Sequence, residues 1–149
     1  MSRPLHSVSV AAVVTDDDGR VLVVQRRDNG KWEIPGGILE LDESPQAGAR
    51  REVLEETGVQ IDPYRLTGIY KNIKLGVVAL VFRGVVISGH IGPTEESAAV
   101  EWWEPARVEA EMDEVFAIRV LDALDSHDTA VRMHDGTKLL LDEQSPATS

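Results

Sequence analysis

At 149 residues the chain is long enough for one compact domain with a sizeable core and leaves little room for a second. Its 42% apolar content is that of a globular protein, no apolar run approaches the length of a bilayer span, and the absence of cysteine excludes disulfides, thiolate metal sites and cysteine nucleophiles. A net charge of −11, from 26 acids against 15 Lys and Arg, repels a nucleic-acid backbone and suits phosphate binding only if bound cations invert the local sign.

Met1 to Ser7 carry Arg3 but no apolar segment of signal-peptide length, so a cytoplasmic location is expected. Val8 to Val14 is rich in β-branched residues and leads through Asp16–Gly19 into the apolar run Val21 to Arg26. Two apolar runs around an Asp-Gly turn predict a hairpin. Trp32–Glu33–Ile34 is a short extended piece, stopped by a loop at Pro35–Gly36–Gly37. Ser44–Pro45 has the form of a helix start, Ser at the N-cap and Pro at the first helical position, and Gly58 supplies the stop, so a helix is predicted over 45–57. Ala49, Val53 and the Thr57 methyl recur at i+4 and form its core-facing stripe.

Further strands are predicted over 65–70 and 77–87, with a short one at Glu101–Trp103. A second helix is predicted over 114–124, where Val115, Ala117, Ile118, Leu121 and Leu124 recur at helical spacing. A C-terminal hairpin follows, Val131–His134 against Thr137–Leu141 around Asp135–Gly136. The expectation is a single domain over residues 1–143, with a disordered tail over 144–149. Strands interleaved with two helices make it a mixed α/β domain.

The stretch from Gly36 to Val59 carries the chemistry. On its predicted helix Glu52, Glu55 and Glu56 stand at i, i+3 and i+4 and share a face. Clustered acids are more often a solvated face than a site. Like charges on adjacent turns cost a few tenths of a kcal/mol per pair, however, and a hard dication converts that cost into binding. A metal so held can neutralise phosphate oxygens and lower the pKa of an attacking water, and a spare carboxylate can take the water's proton. The Gly36–Gly37 pair lets backbone approach the metal or phosphate without a Cβ in the way.

Gly37, Glu43, Arg51, Glu52, Val53, Glu55, Glu56, Gly58 and Val59 match the Nudix box without one departure, and the chain is identified on them as resembling the Nudix hydrolase family. The resemblance implies an α/β/α sandwich, a mixed sheet with helices on both faces, and Mg²⁺- or Mn²⁺-dependent hydrolysis of a nucleoside diphosphate linked to another moiety. It implies metal-binding roles for Glu52, Glu55 and Glu56, a further ligand in the Gly36 carbonyl, an orienting role for Arg51 and a structural one for Glu43. A glutamate on a later loop, before a Trp-containing strand, would add a ligand or base. Glu95 and Glu96 both stand there, and Glu96 fits better by spacing.

Substrate choice lies outside the box. No proline falls between Pro63 and Pro93, against the ADP-ribose branch, and Tyr64 and Tyr70 do not fit the dinucleoside-polyphosphate branch. The coenzyme A motif is absent from Arg20 to Trp32. The segment KWEIPGGILELDE resembles the branch that clears oxidised or non-canonical nucleoside triphosphates, with an ADP-ribose or nucleotide-sugar pyrophosphatase as the alternative. A non-catalytic nucleotide-binding module is the alternative of another class. The isoprenoid isomerase of the same fold relies on a cysteine that this chain lacks. The expected partner is a small-molecule nucleotide, without nucleic acid or membrane, and a homodimer is one possible assembly. The four histidines have no ligand-like spacing, although His134–Asp135 stands where a tail hairpin could face the pocket. Trp32, Trp102 and Trp103 read as packing residues, one of them available to stack on a base.

Overall fold

The computed structural model describes residues 2–125 and 128–141; the tail read over 144–149 lies outside them, as does His127. In chain order the elements are β1 (Ser7–Val14), β2 (Val21–Arg26), β3 (Trp32–Glu33), β4 (Gly36–Ile38), α1 (Pro45–Thr57), β5 (Val59–Asn72), β6 (Val77–Gly89), β7 (Ser97–Trp103), α2 (Pro105–Glu111), α3 (Glu114–Leu124), β8 (Ala130–His134) and β9 (Leu139–Leu140). They form a six-stranded sheet ordered β4-β1-β6-β5-β8-β9 and a three-stranded sheet ordered β3-β2-β7. The larger sheet is mixed, since β1 and β6 run parallel, as do β5 and β8, while its other pairs are antiparallel.

The alternation of β1 shows how the layers are made. Ala11 and Val13 join a core with Val108, Val115, Val120 and Ala123 of α2 and α3. Ala12 and Val14 point the other way, into a core with Val53 of α1 and with Val59 and Ile61 of β5. Successive strand residues face opposite sides, so helices cover both faces and the architecture is an α/β/α sandwich. On α1 the predicted stripe of Ala49, Val53 and Thr57 is fully buried. Val53 alone contributes roughly 1.5–3 kcal/mol through that burial.

Four expectations are corrected. The turn at Asp16–Gly19 forms, with the Gly19 N–H donating to the Asp16 carbonyl at 3.1 Å and Gly19 at φ +79°, but the strands it joins do not pair as a hairpin. Beyond a single bridge between Thr15 and Val21 they diverge, β1 into the larger sheet and β2 beside β7. Both runs are apolar at consecutive positions and buried on both faces, which a two-stranded hairpin cannot supply. Gly36–Gly37 is edge strand β4, paired with β1, where a loop was read. A third helix, α2, begins at Pro105, where only two helices were predicted in the chain. The long central strands also exceed their predicted bounds. Pro63 fits inside β5 because the register shifts there and β8 does not reach that far along the opposite edge.

Candidate active site

The Ser44 hydroxyl caps α1, accepting from the Ala47 N–H at 3.1 Å, and Gly58 ends the helix at φ +88°. These two stops fix which turns of α1 lie across β4. Glu52 and Glu56 fall on the inward side at 8% and 7% exposure, while Glu55 stays exposed. Glu96, on the loop before β7, reaches the same place from the other side. Glu52, Glu55 and Glu96 each bring a carboxylate oxygen to within 4.8 Å of the other two. Glu95 faces the same cavity but is not part of that group among the described residues.

Arg51 ties the group down. Its Nε and Nη2 donate to the two oxygens of Glu43, at 3.0 and 2.6 Å, and Nη1 donates to Glu52 at 2.8 Å and to Glu55 at 3.4 Å. Nη2 also donates to the Ile38 carbonyl at 3.1 Å, so one guanidinium joins α1, the loop before it and β4. The Arg51 guanidinium and the Glu40 N–H hold the Glu43 carboxyl at about 2. Glu43 is therefore an anchor for the arginine.

Glu56 sits behind this group. Its Oε2 accepts the Gly36 N–H at 2.8 Å. Burial pushes the Glu56 carboxyl up to about 8, against the Gly36 hydrogen bond, with the charges of Glu52 and Glu96 adding to the shift. Burial also raises Glu52, opposed by Arg51. Carboxylates crowded and desolvated in this way are short of positive charge.

A cavity of about 520 Å³ opens over these groups. Five of its lining residues are acids, Asp28, Glu52, Glu56, Glu95 and Glu96, and two are arginines, Arg26 and Arg27. Both arginines are engaged, Arg26 with Asp28 at 2.9 and 2.6 Å and Arg27 with the Thr94 carbonyl at 3.2 and 2.9 Å. The excess of carboxylate oxygen is the donor set that Mg²⁺ or Mn²⁺ takes, and a polyphosphate could enter only beside such an ion.

A second cavity of about 260 Å³ adjoins the first across Arg26, Gly36 and Gly37, which line both. Its walls include Tyr70, Phe116, Arg119 and His134. His134, which a tail hairpin could have turned toward the carboxylate pocket, lines this second cavity. Asp135 instead caps its own turn, accepting from the N–H groups of Thr137 and Lys138 at 3.0 and 2.9 Å. Arg119 was missed, although a charged residue on the stripe between Val115 and Ala123 was a readable signal. Trp103 is fully buried with the Trp32 ring 4.9 Å away, and Trp102 packs beside the core under α1, so all three tryptophans pack.

A family model described as NUDIX domain matches residues 5–124. A MutT-like protein of Streptomyces ambofaciens is 55% identical over 139 residues, 93% of this chain and 90% of that one. A putative 8-oxo-dGTP diphosphatase of Bacillus subtilis (strain 168) is 29% identical over 105 residues, 70% of each chain. Among solved structures, an ADP-ribose pyrophosphatase from Streptococcus suis 89-1591 superposes with a TM-score of 0.72 at 20% identity, over 87% of this chain and all of that one.

Proposed function

The chain belongs to the Nudix family of pyrophosphohydrolases acting on nucleoside diphosphate derivatives, and from that premise we propose that it hydrolyses a nucleoside triphosphate, of the oxidised or non-canonical kind, to monophosphate and pyrophosphate. The observation that carries the proposal is the convergence of Glu52, Glu55 and Glu96 within 4.8 Å beside a cavity wide enough for a polyphosphate. The relative named as an 8-oxo-dGTP diphosphatase supports the choice of substrate.

Glu52, Glu55, Glu56 and Glu96, with the Gly36 carbonyl, would hold Mg²⁺ or Mn²⁺, which when bound neutralises phosphate oxygens and acidifies water. Arg51 fixes Glu52 and Glu55 in register, so the site is organised before substrate arrives. Glu56 is engaged through Oε2, which leaves its Oε1 for the metal or for the proton of the attacking water. Water adds to one phosphorus of the α–β bridge and gives up its proton to a carboxylate. The bridging oxygen then departs on the other phosphate.

The test is product analysis over a nucleotide panel with Mg²⁺ and with excess EDTA. A triphosphate giving monophosphate plus pyrophosphate, only with metal, is the expected result. Orthophosphate as first product, or full activity in EDTA, overturns it. Turnover of ADP-ribose to AMP and ribose 5-phosphate, without triphosphate turnover, selects the alternative substrate.

A further inference from the structure

Two residues that line the smaller cavity each carry a buried nitrogen donor without a partner, the Nε of Arg119 and the Nε2 of His134. Arg119 projects from α3 between the rings of Tyr70 and Phe116, its guanidinium carbon 5.1 Å from each centroid. Among the described residues it makes no hydrogen bond or ion pair. His134 is 2% exposed at the end of β8, and its Nδ1 accepts the Gly136 N–H at 3.0 Å. That acceptance keeps the proton of the neutral ring on Nε2 and makes Nε2–H a donor. Burial and the charge of Arg119 hold His134 on the neutral side.

The wall is rigid. Tyr70 donates its hydroxyl to Asp122 at 2.7 Å, and Arg132 clamps the same carboxylate at 2.7 Å through both of its bonds. One acid, Glu33, shares the cavity, and burial raises its carboxyl toward the neutral form. Native proteins seldom bury a donor unpaired, and two in one cavity point to a ligand that accepts from both.

We propose that this cavity is the pocket for the heterocycle of the substrate and that Arg119 and His134 are its specificity-determining residues, selecting a 6-oxopurine over a 6-aminopurine. The proposal rests on the triphosphate reading, since the cavity meets the carboxylate site at Gly36 and Gly37. A 6-oxopurine presents two neighbouring acceptors, O6 and N7, which a forked guanidinium reads, whereas a 6-aminopurine puts a donor in place of O6. The oxopurine also carries a ring N–H that Glu33 can accept, whereas that carboxyl would oppose a phosphate. Phe116 supplies flat apolar surface. At about 260 Å³ the space lies just under the roughly 300–1,000 Å³ of drug-sized pockets, enough for one ring system and not for a dinucleotide.

The experiment measures binding of inosine and adenosine 5′-monophosphates to the Mg²⁺-loaded protein by calorimetry, alongside kcat/KM for the two triphosphates. The inosine compounds should be preferred by about tenfold or more. In Arg119→Met that preference should shrink to within about threefold through loss of the inosine arm alone. Equal affinities in the wild type overturn the proposal, as does an equal loss of both ligands in the variant, which would mark Arg119 as a phosphate contact. A variant that loses neither also overturns it. If Arg119→Met does not fold, the wild-type preference decides. Selective monophosphate binding without triphosphate cleavage would sink the proposed reaction and leave the pocket standing; cleavage without selectivity does the reverse.

Discussion

The carboxylate of Glu52 fills the space that a side chain on Gly37 would need. A Cβ placed there would lie 2.5 Å from Cδ and Oε2 and 2.6 Å from Oε1. Gly37 has no positive φ, so what it supplies is room. Its absent side chain lets β4 lie against α1 with a carboxylate between them. Gly37→Ala should push Glu52 off the position that Arg51 sets. Displacement on the scale of 1 Å costs about 10²-fold in rate, so kcat/KM should fall by about that factor. Because the carboxylate end can swing toward the cavity, the unfolding temperature should drop by only a few degrees. An alanine variant with near wild-type kcat/KM would show that Glu52 need not stand where it does.

Much of the site was legible because its residues lie on one regular element. The 3.6-residue period of α1, with its cap at Ser44 and its stop at Gly58, puts Glu52, Glu55 and Glu56 on one side from spacing alone. Local rules could not show how β1 and β2 part into different sheets, since a turn signal reports the turn and says nothing of what each strand then pairs with. Glu96 and Arg119 come from distant parts of the chain. Spacing made Glu96 the better of two candidates, but its closeness to Glu52 and Glu55 is a tertiary fact. Arg119 stands on the apolar stripe of α3, but its place beside the Tyr70 ring is likewise a tertiary fact.

The raised carboxyl of Glu56 makes stability depend on pH. A group near 8 when folded and near its ordinary 4.5 when unfolded keeps a proton in the folded state between those values. Stability is then fully present below about 4.5 and is lost as pH rises toward 8. Burial raises Glu52 in the same direction, whereas Glu43 and Asp135 sit low and act only in acid. Without metal, the unfolding temperature should fall between pH 5.5 and pH 8, and Glu56→Gln should flatten that fall. Mg²⁺ should raise the wild-type value most at pH 8, because it binds the ionised form. The same variant should lose about two to four orders of magnitude in turnover. A wild-type melting temperature that climbs steadily from pH 5.5 to 8 without metal would contradict the account of Glu56.

Glu95 and Glu96 can be separated directly. Only Glu96 brings an oxygen within 4.8 Å of those on Glu52 and Glu55, although both acids line the cavity. Glu96→Gln should lower kcat at least tenfold with little change in KM, and Glu95→Gln should leave kcat within about threefold. Steady-state kinetics at saturating Mg²⁺ measures both. The opposite ranking would transfer the role to Glu95.

Arg51 offers the sharpest test of whether positioning matters apart from charge. Its guanidinium makes a two-pronged bond to Glu43 and still reaches Glu52, Glu55 and the Ile38 carbonyl. Lysine keeps the charge but cannot span a fork, so Arg51→Lys would hold one or two of these partners and release the rest. A freed Glu52 or Glu55 must be gathered again by the metal. The expected result is therefore a rise of about tenfold or more in the Mg²⁺ concentration for half-maximal activity, with kcat at saturating Mg²⁺ reduced less. A purely structural arginine would instead lower the unfolding temperature and leave the Mg²⁺ titration unchanged among folded molecules. Glu43→Gln serves as the companion. It leaves Glu52 and Glu55 intact but loosens the arginine, and it should shift the Mg²⁺ midpoint in the same direction by a smaller factor. If both variants titrate with Mg²⁺ as the wild type does, Arg51 is not what holds Glu52 and Glu55 ready.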